Sequence, residues 1–206
     1  MLWRLTYADR DLPAAEKQRL MAAYRRFVQR HLYFHGEHRT FLSKNPSFTP
    51  FMATLADAFP DARFIGCLRN PTAAVPSQIN SIVIGGKLFD GRDTADYWRE
   101  GFLAMLDYYY RHLLEQLDGL PEGRGALSVM ETLAAAPGES VSGFYRTFGW
   151  TPSPAYRAFL DGEDRRAAAY RSGHRYSLEN LGVDPGRLAA TFGWVYDRFG
   201  YPRPTA

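Results

Sequence analysis

Phe64-Ile65-Gly66-Cys67-Leu68-Arg69-Asn70-Pro71, followed by Ser77, is the stretch on which the reading of this chain turns. An apolar run of strand character stops at an arginine, Pro71 opens a helix, and a serine stands eight positions after the arginine. That order gathers a guanidinium fork, the free N–H groups of a helix start and a hydroxyl around one small volume. Such a volume suits a phosphate or sulfate group. Ligands of open α/β sheets bind at the same place, the carboxyl end of a strand. Pro76 removes one helical N–H and is expected to kink or restart the helix just before Ser77, leaving further N–H groups unpaired beside the anion. An isolated Arg-x7-Ser would carry little. The strand, the abrupt arginine, the Asn-Pro helix start and the position of Ser77 carry the reading together.

Outward from this stretch, the chain alternates helical and strand patterns. Pro13 to about Tyr33 places Leu20, Ala23, Tyr24, Phe27, Val28 and Leu32 at helical spacing, with Arg25, Arg26, Gln29 and Arg30 on a solvated face. Thr40-Phe41-Leu42-Ser43 reads as a short strand ending at Lys44-Asn45-Pro46. A helix over about Pro50 to Phe59 precedes the Phe64 to Leu68 strand. Beyond the Pro71 helix, Gly85-Gly86-Lys87 and Gly91 bracket an expected flexible loop, a candidate lid. A long helix over about Thr94 to Leu117, a strand from Gly125 to Met130, and helices over about Glu139 to Phe148 and Pro154 to Leu160 follow. Asp184-Pro185 is a capped start for a terminal helix. Strands alternating with helices predict a mostly parallel sheet under helical cover, an α/β chain whose C-terminal half is rich in helix.

At 206 residues, with 46% hydrophobic and 15% aromatic residues, the chain is expected to fold as a single domain with a real core. The formal charge of +3 hints at anionic ligands, but acidic and basic residues interleave without a block of one sign. Lysine occurs only at positions 17, 44 and 87, so 22 of the 25 basic residues are arginines and each lysine stands out. Cys67 is the one cysteine, which excludes an internal disulfide and a CxxC metal site; its place in an apolar strand reads as a small buried hydrophobe. No apolar stretch approaches the roughly 18 residues that span a bilayer, and no signal peptide is visible, so a soluble cytoplasmic protein without a membrane partner is expected. Basic and aromatic residues do not interleave as on a nucleic-acid surface.

Lys44 is the second candidate. At the end of a strand in a parallel sheet it would share an edge with Arg69, where a point charge stabilises negative charge on a transferring group. His31, His35 and His38 begin with the i, i+4 spacing of a metal face, yet they lie at a helix end beside Gly36 with no fitting carboxylate, and a solvated role fits them better. No metal is expected. Tyr108-Tyr109-Tyr110 would point three ways from a helix, which reads mainly as core packing.

Phe41-Leu42-Ser43-Lys44-Asn45-Pro46, then Ala58-Phe59-Pro60-Asp61-Ala62-Arg63-Phe64-Ile65, then Leu68-Arg69-Asn70-Pro71 through Val75-Pro76-Ser77 resembles the sulfotransferase family that uses 3′-phosphoadenosine 5′-phosphosulfate (PAPS), in its bacterial, broadly distributed branch. Met130-Glu131-Thr132-Leu133 with Ala136-Pro137 is similar to that family's strand and Glu-Asp-Leu segment, and His174-Arg175-Tyr176-Ser177-Leu178-Glu179-Asn180-Leu181-Gly182 to its C-terminal element. The resemblance implies a fold related to the P-loop kinases and transfer of a sulfuryl group from PAPS to a hydroxyl or amine of a small-molecule or glycan acceptor. It implies that Arg69 and Ser77 hold the donor's 3′-phosphate and that Lys44 lies near the transferring group. The family's glycine-rich loop of the kind Gly-x-x-Arg-Ser-Gly-Thr has no counterpart; residues 1 to 12 hold no glycine. The expectation is a fold that lacks its first strand and phosphate loop, with an exposed sheet edge open to self-association. A competing expectation is a non-catalytic remnant or nucleotide-binding module that keeps only the 3′-phosphate site.

Overall fold

The computed structural model describes residues 2–90, 95–169, 178 and 181–205. Two compact units divide the chain, residues 1–62 and 63–206.

The first unit is helical: α1 (Leu2–Leu5), α2 (Ala8–Asp11), α3 (Ala14–His35), a 3-10 helix (Pro46–Phe51) and α4 (Met52–Ala58). Its core gathers Ala8, Leu12, Met21, Phe51, Met52 and Leu55. The Asp9 carboxylate accepts from the N–H groups of Ala53 at 2.8 Å and Thr54 at 3.0 Å, so α2 caps the start of α4 across the unit. The apolar spacing on α3 is only partly covered: Met21 is buried, while Leu20 and Phe27 are exposed. The strand expected at Thr40 to Ser43 is not formed; residues 40–45 have no regular structure. Phe41 instead sets its ring against His31, with centroids 5.0 Å apart, and Leu42 is 87% exposed. A strand needs a neighbour to take its hydrogen bonds, and this segment has none among the described residues.

In the second unit, β1 (Phe64–Leu68) and β2 (Gly125–Val129) pair in parallel, in register from Phe64 opposite Gly125 to Leu68 opposite Val129. The intervening crossover is α5 (Pro71–Asp90) and α6 (Ala95–Gly119); α7 (Met130–Ala135), α8 (Pro137–Thr147), α9 (Pro154–Ala169) and α10 (Pro185–Phe199) follow β2. The architecture is helix-rich α/β with a small parallel sheet, as the alternating pattern predicts. Alternate residues of β1 face opposite ways. Gly66 and Leu68 are buried, and Gly66 lies so close to Leu113 and Leu117 of α6 that a Cβ there would come within 2.6 Å of Leu117. Ile65 and Cys67 face out and are exposed. The expected burial of Cys67 is therefore corrected: the strand's inner positions are 66 and 68, and period 2 sends 67 outward.

Val75 and Ile79 of α5 and Leu188, Phe192 and Val195 of α10 are fully buried. Each such side chain contributes about 1.5–3 kcal/mol of burial. Asp184 caps α10 by accepting from the Arg187 N–H at 2.5 Å. The indole of Trp194 donates to Asp107 at 2.8 Å and ties α10 to α6. Gly85-Gly86-Lys87, expected in a lid loop, lies inside α5, whose backbone stays helical to Asp90. Two glycines cost a helix about 1 kcal/mol each, too little to end one that is already anchored at Val75 and Ile79. Gly91 lies outside the described residues, as does the His174 to Gly182 element apart from Leu178, Leu181 and Gly182. Among the described residues no helix is long and apolar enough to cross a membrane.

Candidate functional site

Parallel pairing brings the carboxyl ends of β1 and β2 together. Because Leu68 stands opposite Val129, Arg69 and Asn70 leave the sheet beside Met130 and Glu131. Arg69 is half-buried, and its carbonyl oxygen accepts from the Tyr110 hydroxyl of α6 at 2.6 Å. Burial pushes the Tyr110 hydroxyl well above the ordinary phenol range, with the neighbouring Tyr201 and Glu131 adding to the effect. Tyr110 is thus a neutral donor at any physiological pH.

Asn70 caps α5. Its side chain accepts from the Thr72 N–H at 2.9 Å, and its carbonyl accepts from Ala73 and Ala74, each at 2.9 Å. Pro71 has no N–H to offer. The first-turn donors of α5 are consequently all spent within the chain, and the expectation of free N–H groups facing an anion is corrected. The expected restart at Pro76 is corrected too: α5 is one continuous element from Pro71 to Asp90, and Pro76 is buried within it. What this corner offers an anion is side chains.

Ser77 lies seven residues beyond Asn70, on the same helix face and about 10 Å further along the axis. Its carbonyl accepts from the Ser81 hydroxyl at 2.9 Å. Among the described residues neither the Arg69 guanidinium nor the Ser77 hydroxyl has a hydrogen-bond or ion-pair partner. A half-buried arginine with no carboxylate paired to it among the described residues is a donor set open to an anionic ligand. Lys44, by contrast, is exposed in the irregular 40–45 segment of the first unit, and no strand end holds it. With no strand formed at residues 40–43, Lys44 does not end one as expected.

The corner also contains residues that the sequence pattern passes over. One oxygen of the Glu131 carboxylate accepts from the Asn70 N–H at 3.0 Å, and the other accepts from the Tyr201 hydroxyl at 2.8 Å. The Tyr196 hydroxyl lies 2.9 Å from that of Thr72. Burial raises both tyrosine pKa values, and for Tyr201 the Glu131 carboxylate raises it further. Three tyrosines from α6 and the C-terminal segment therefore close on one turn. The available signal was positional: Glu131 is the second residue after β2, as Asn70 is the second after β1. Elsewhere, the rings of His31 and His35 lie 4.4 Å apart, but no group of three or more His, Cys, Asp or Glu side chains is placed to hold a metal among the described residues.

Comparison with curated proteins and with solved structures found no match. The model of the sulfotransferase family matches residues 4–151, a span that takes in β1, α5, α6 and β2 with Arg69, Ser77, Tyr110 and Glu131, while Tyr196 and Tyr201 lie beyond it. On that match the chain belongs to the sulfotransferase family.

Proposed function

We propose that this chain binds PAPS through its 3′-phosphate, with Arg69 as the bidentate fork and Ser77 as the second donor, and that it serves sulfuryl transfer to a hydroxyl or amine. The observation carrying this reading is a pair of side-chain donors without a partner among the described residues, Arg69 and Ser77, just after the carboxyl end of β1 and further along α5. A planar guanidinium meets two phosphate oxygens at once, and a ligand lacking that phosphate leaves the fork empty, which is how such a site discriminates. Catalysis in this reading is positioning and charge stabilisation, as in phosphoryl transfer. When bound, PAPS supplies an activated sulfuryl group. Lys44 as the cation beside that group rests on the family resemblance alone. Binding without transfer is the second reading, because Arg69 and Ser77 are assigned to the 3′-phosphate and the corner assigns no donor to the sulfonate.

Calorimetry with adenosine 3′,5′-bisphosphate and with adenosine 5′-monophosphate tests the site. The bisphosphate should bind more tightly, and Arg69→Ala should remove that advantage by roughly ten- to a hundredfold, as expected for charged hydrogen bonds. Equal binding of the two nucleotides, or an advantage that survives Arg69→Ala, would sink the assignment. A product assay with PAPS and a panel of phenols, alcohols and amines separates transfer from binding.

A further inference from the structure

The peptide that joins Arg69 to Asn70 is held at both ends. Its carbonyl, on Arg69, accepts from the buried Tyr110 hydroxyl at 2.6 Å, and its N–H, on Asn70, donates to Glu131 at 3.0 Å. The Arg69–Asn70 peptide is trans, so its oxygen and hydrogen lie in one rigid plane and point in opposite directions. Pinning both sets that plane, and with it the backbone torsions that flank it. Those torsions decide the direction in which the Arg69 side chain leaves the backbone.

A carboxylate in this place needs a reason. Bonded to the peptide that follows Arg69, it adds negative charge to a corner meant for an anion and could compete for the fork. Glu131 avoids that competition because each oxygen already has a donor, the Asn70 N–H on one and the Tyr201 hydroxyl on the other. Tyr201 follows directly on the Gly200 cap of α10, and its own N–H donates to the Tyr196 carbonyl at 3.0 Å, so the hydroxyl is delivered from an anchored turn.

We propose that Glu131 is a positioning residue. It and Tyr110 clamp the Arg69–Asn70 peptide so that the guanidinium points at the bound phosphate, and Tyr201 holds the Glu131 carboxylate away from Arg69. This rests on the reading of Arg69 as the 3′-phosphate fork. A second consequence is that the chain's last segment, through Tyr201, takes part in the selectivity of the site.

The experiment measures two quantities on the full chain: the affinity ratio of adenosine 3′,5′-bisphosphate to adenosine 5′-monophosphate, and hydrogen exchange at the Asn70 amide. Glu131→Ala should lower the ratio by roughly tenfold, leave the monophosphate affinity within about twofold, and speed exchange at Asn70. Glu131→Gln keeps an oxygen for the Asn70 N–H and should restore most of the ratio and the slow exchange. A purely structural role would weaken both nucleotides alike and would not be rescued. Should Glu131→Ala fold poorly, Tyr201→Phe leaves the carboxylate in place and should lower the ratio by about threefold, the loss of one weaker hydrogen bond. Parental ratio and parental Asn70 exchange in either folded variant, alongside a lost ratio in Arg69→Ala, overturn the positioning role alone. An Arg69→Ala ratio equal to the parent's overturns the phosphate reading itself.

Discussion

The Tyr110 hydroxyl donates to the Arg69 carbonyl at 2.6 Å, so a buried tyrosine of α6 holds the backbone of the residue that directly follows β1. Tyr110 also packs its ring on Phe192, with centroids 5.7 Å apart, and therefore joins the core to the site through one side chain. Tyr110→Phe keeps the ring and removes only the donor. It should cost about 1–3 kcal/mol, since a buried carbonyl loses its partner. Denaturant unfolding gives the stability, and bisphosphate affinity should fall in the same variant.

Alkaline pH should act on the same corner. Tyr110, Tyr196 and Tyr201 all have raised pKa values in the folded chain. A raised folded value means that the native state keeps protons the unfolded state has already released. The stability these groups contribute is therefore complete below the unfolded phenol value of 10.0 and is lost as pH rises beyond it. Ultraviolet titration of the 13 tyrosines should show a late-ionising class coincident with unfolding. A single smooth transition near the ordinary phenol pKa, with the fold intact, would contradict it.

Gly138 should tolerate no side chain. A Cβ there would lie 2.2 Å from the Leu160 carbonyl oxygen, which belongs to backbone and cannot swing aside. The close approach lets the Asp164 carboxylate of α9 take the Gly138 N–H at 2.6 Å and the Glu139 N–H at 3.1 Å, capping α8. Gly138→Ala should destabilise the second unit by about 2–3 kcal/mol. Gly119→Ala, with nothing within 4 Å of the added carbon, should stay within about 0.5 kcal/mol of the parent in the same melting experiment.

Cys67 should react in the native state. It faces out from β1 beside exposed Ile65, so a thiol reagent should modify one cysteine per chain without denaturant. Modification that waits for unfolding would mean that this sheet face is covered. Light scattering on the same sample reads whether the apolar face promotes self-association, for which Ile65→Lys should be the suppressing variant.

Local signals located most of the elements and singled out Arg69 and Ser77 as candidate donors. β1 ends at an arginine before Asn-Pro, and α10 begins at Asp184-Pro185, because cap chemistry is written in adjacent residues. The segment Thr40 to Ser43 has strand composition but no partner strand among the described residues, and two glycines suggested a loop where an anchored helix runs on. Arg69 and Ser77 were legible as donors. Their backbone surroundings were not, because Asn70 itself takes the N–H groups that a bare helix start would leave open.

The parallel βαβ core, the arginine just past its first strand and membership of the sulfotransferase family over residues 4–151 follow from the order of residues alone. What holds that arginine comes from folding. Glu131 lies 61 residues from Asn70 and 70 from Tyr201, and Tyr110 lies 41 from Arg69. Cap and strand patterns are set by neighbours in the chain, whereas these contacts exist only after β1 and β2 pair and α6 and α10 close over their ends.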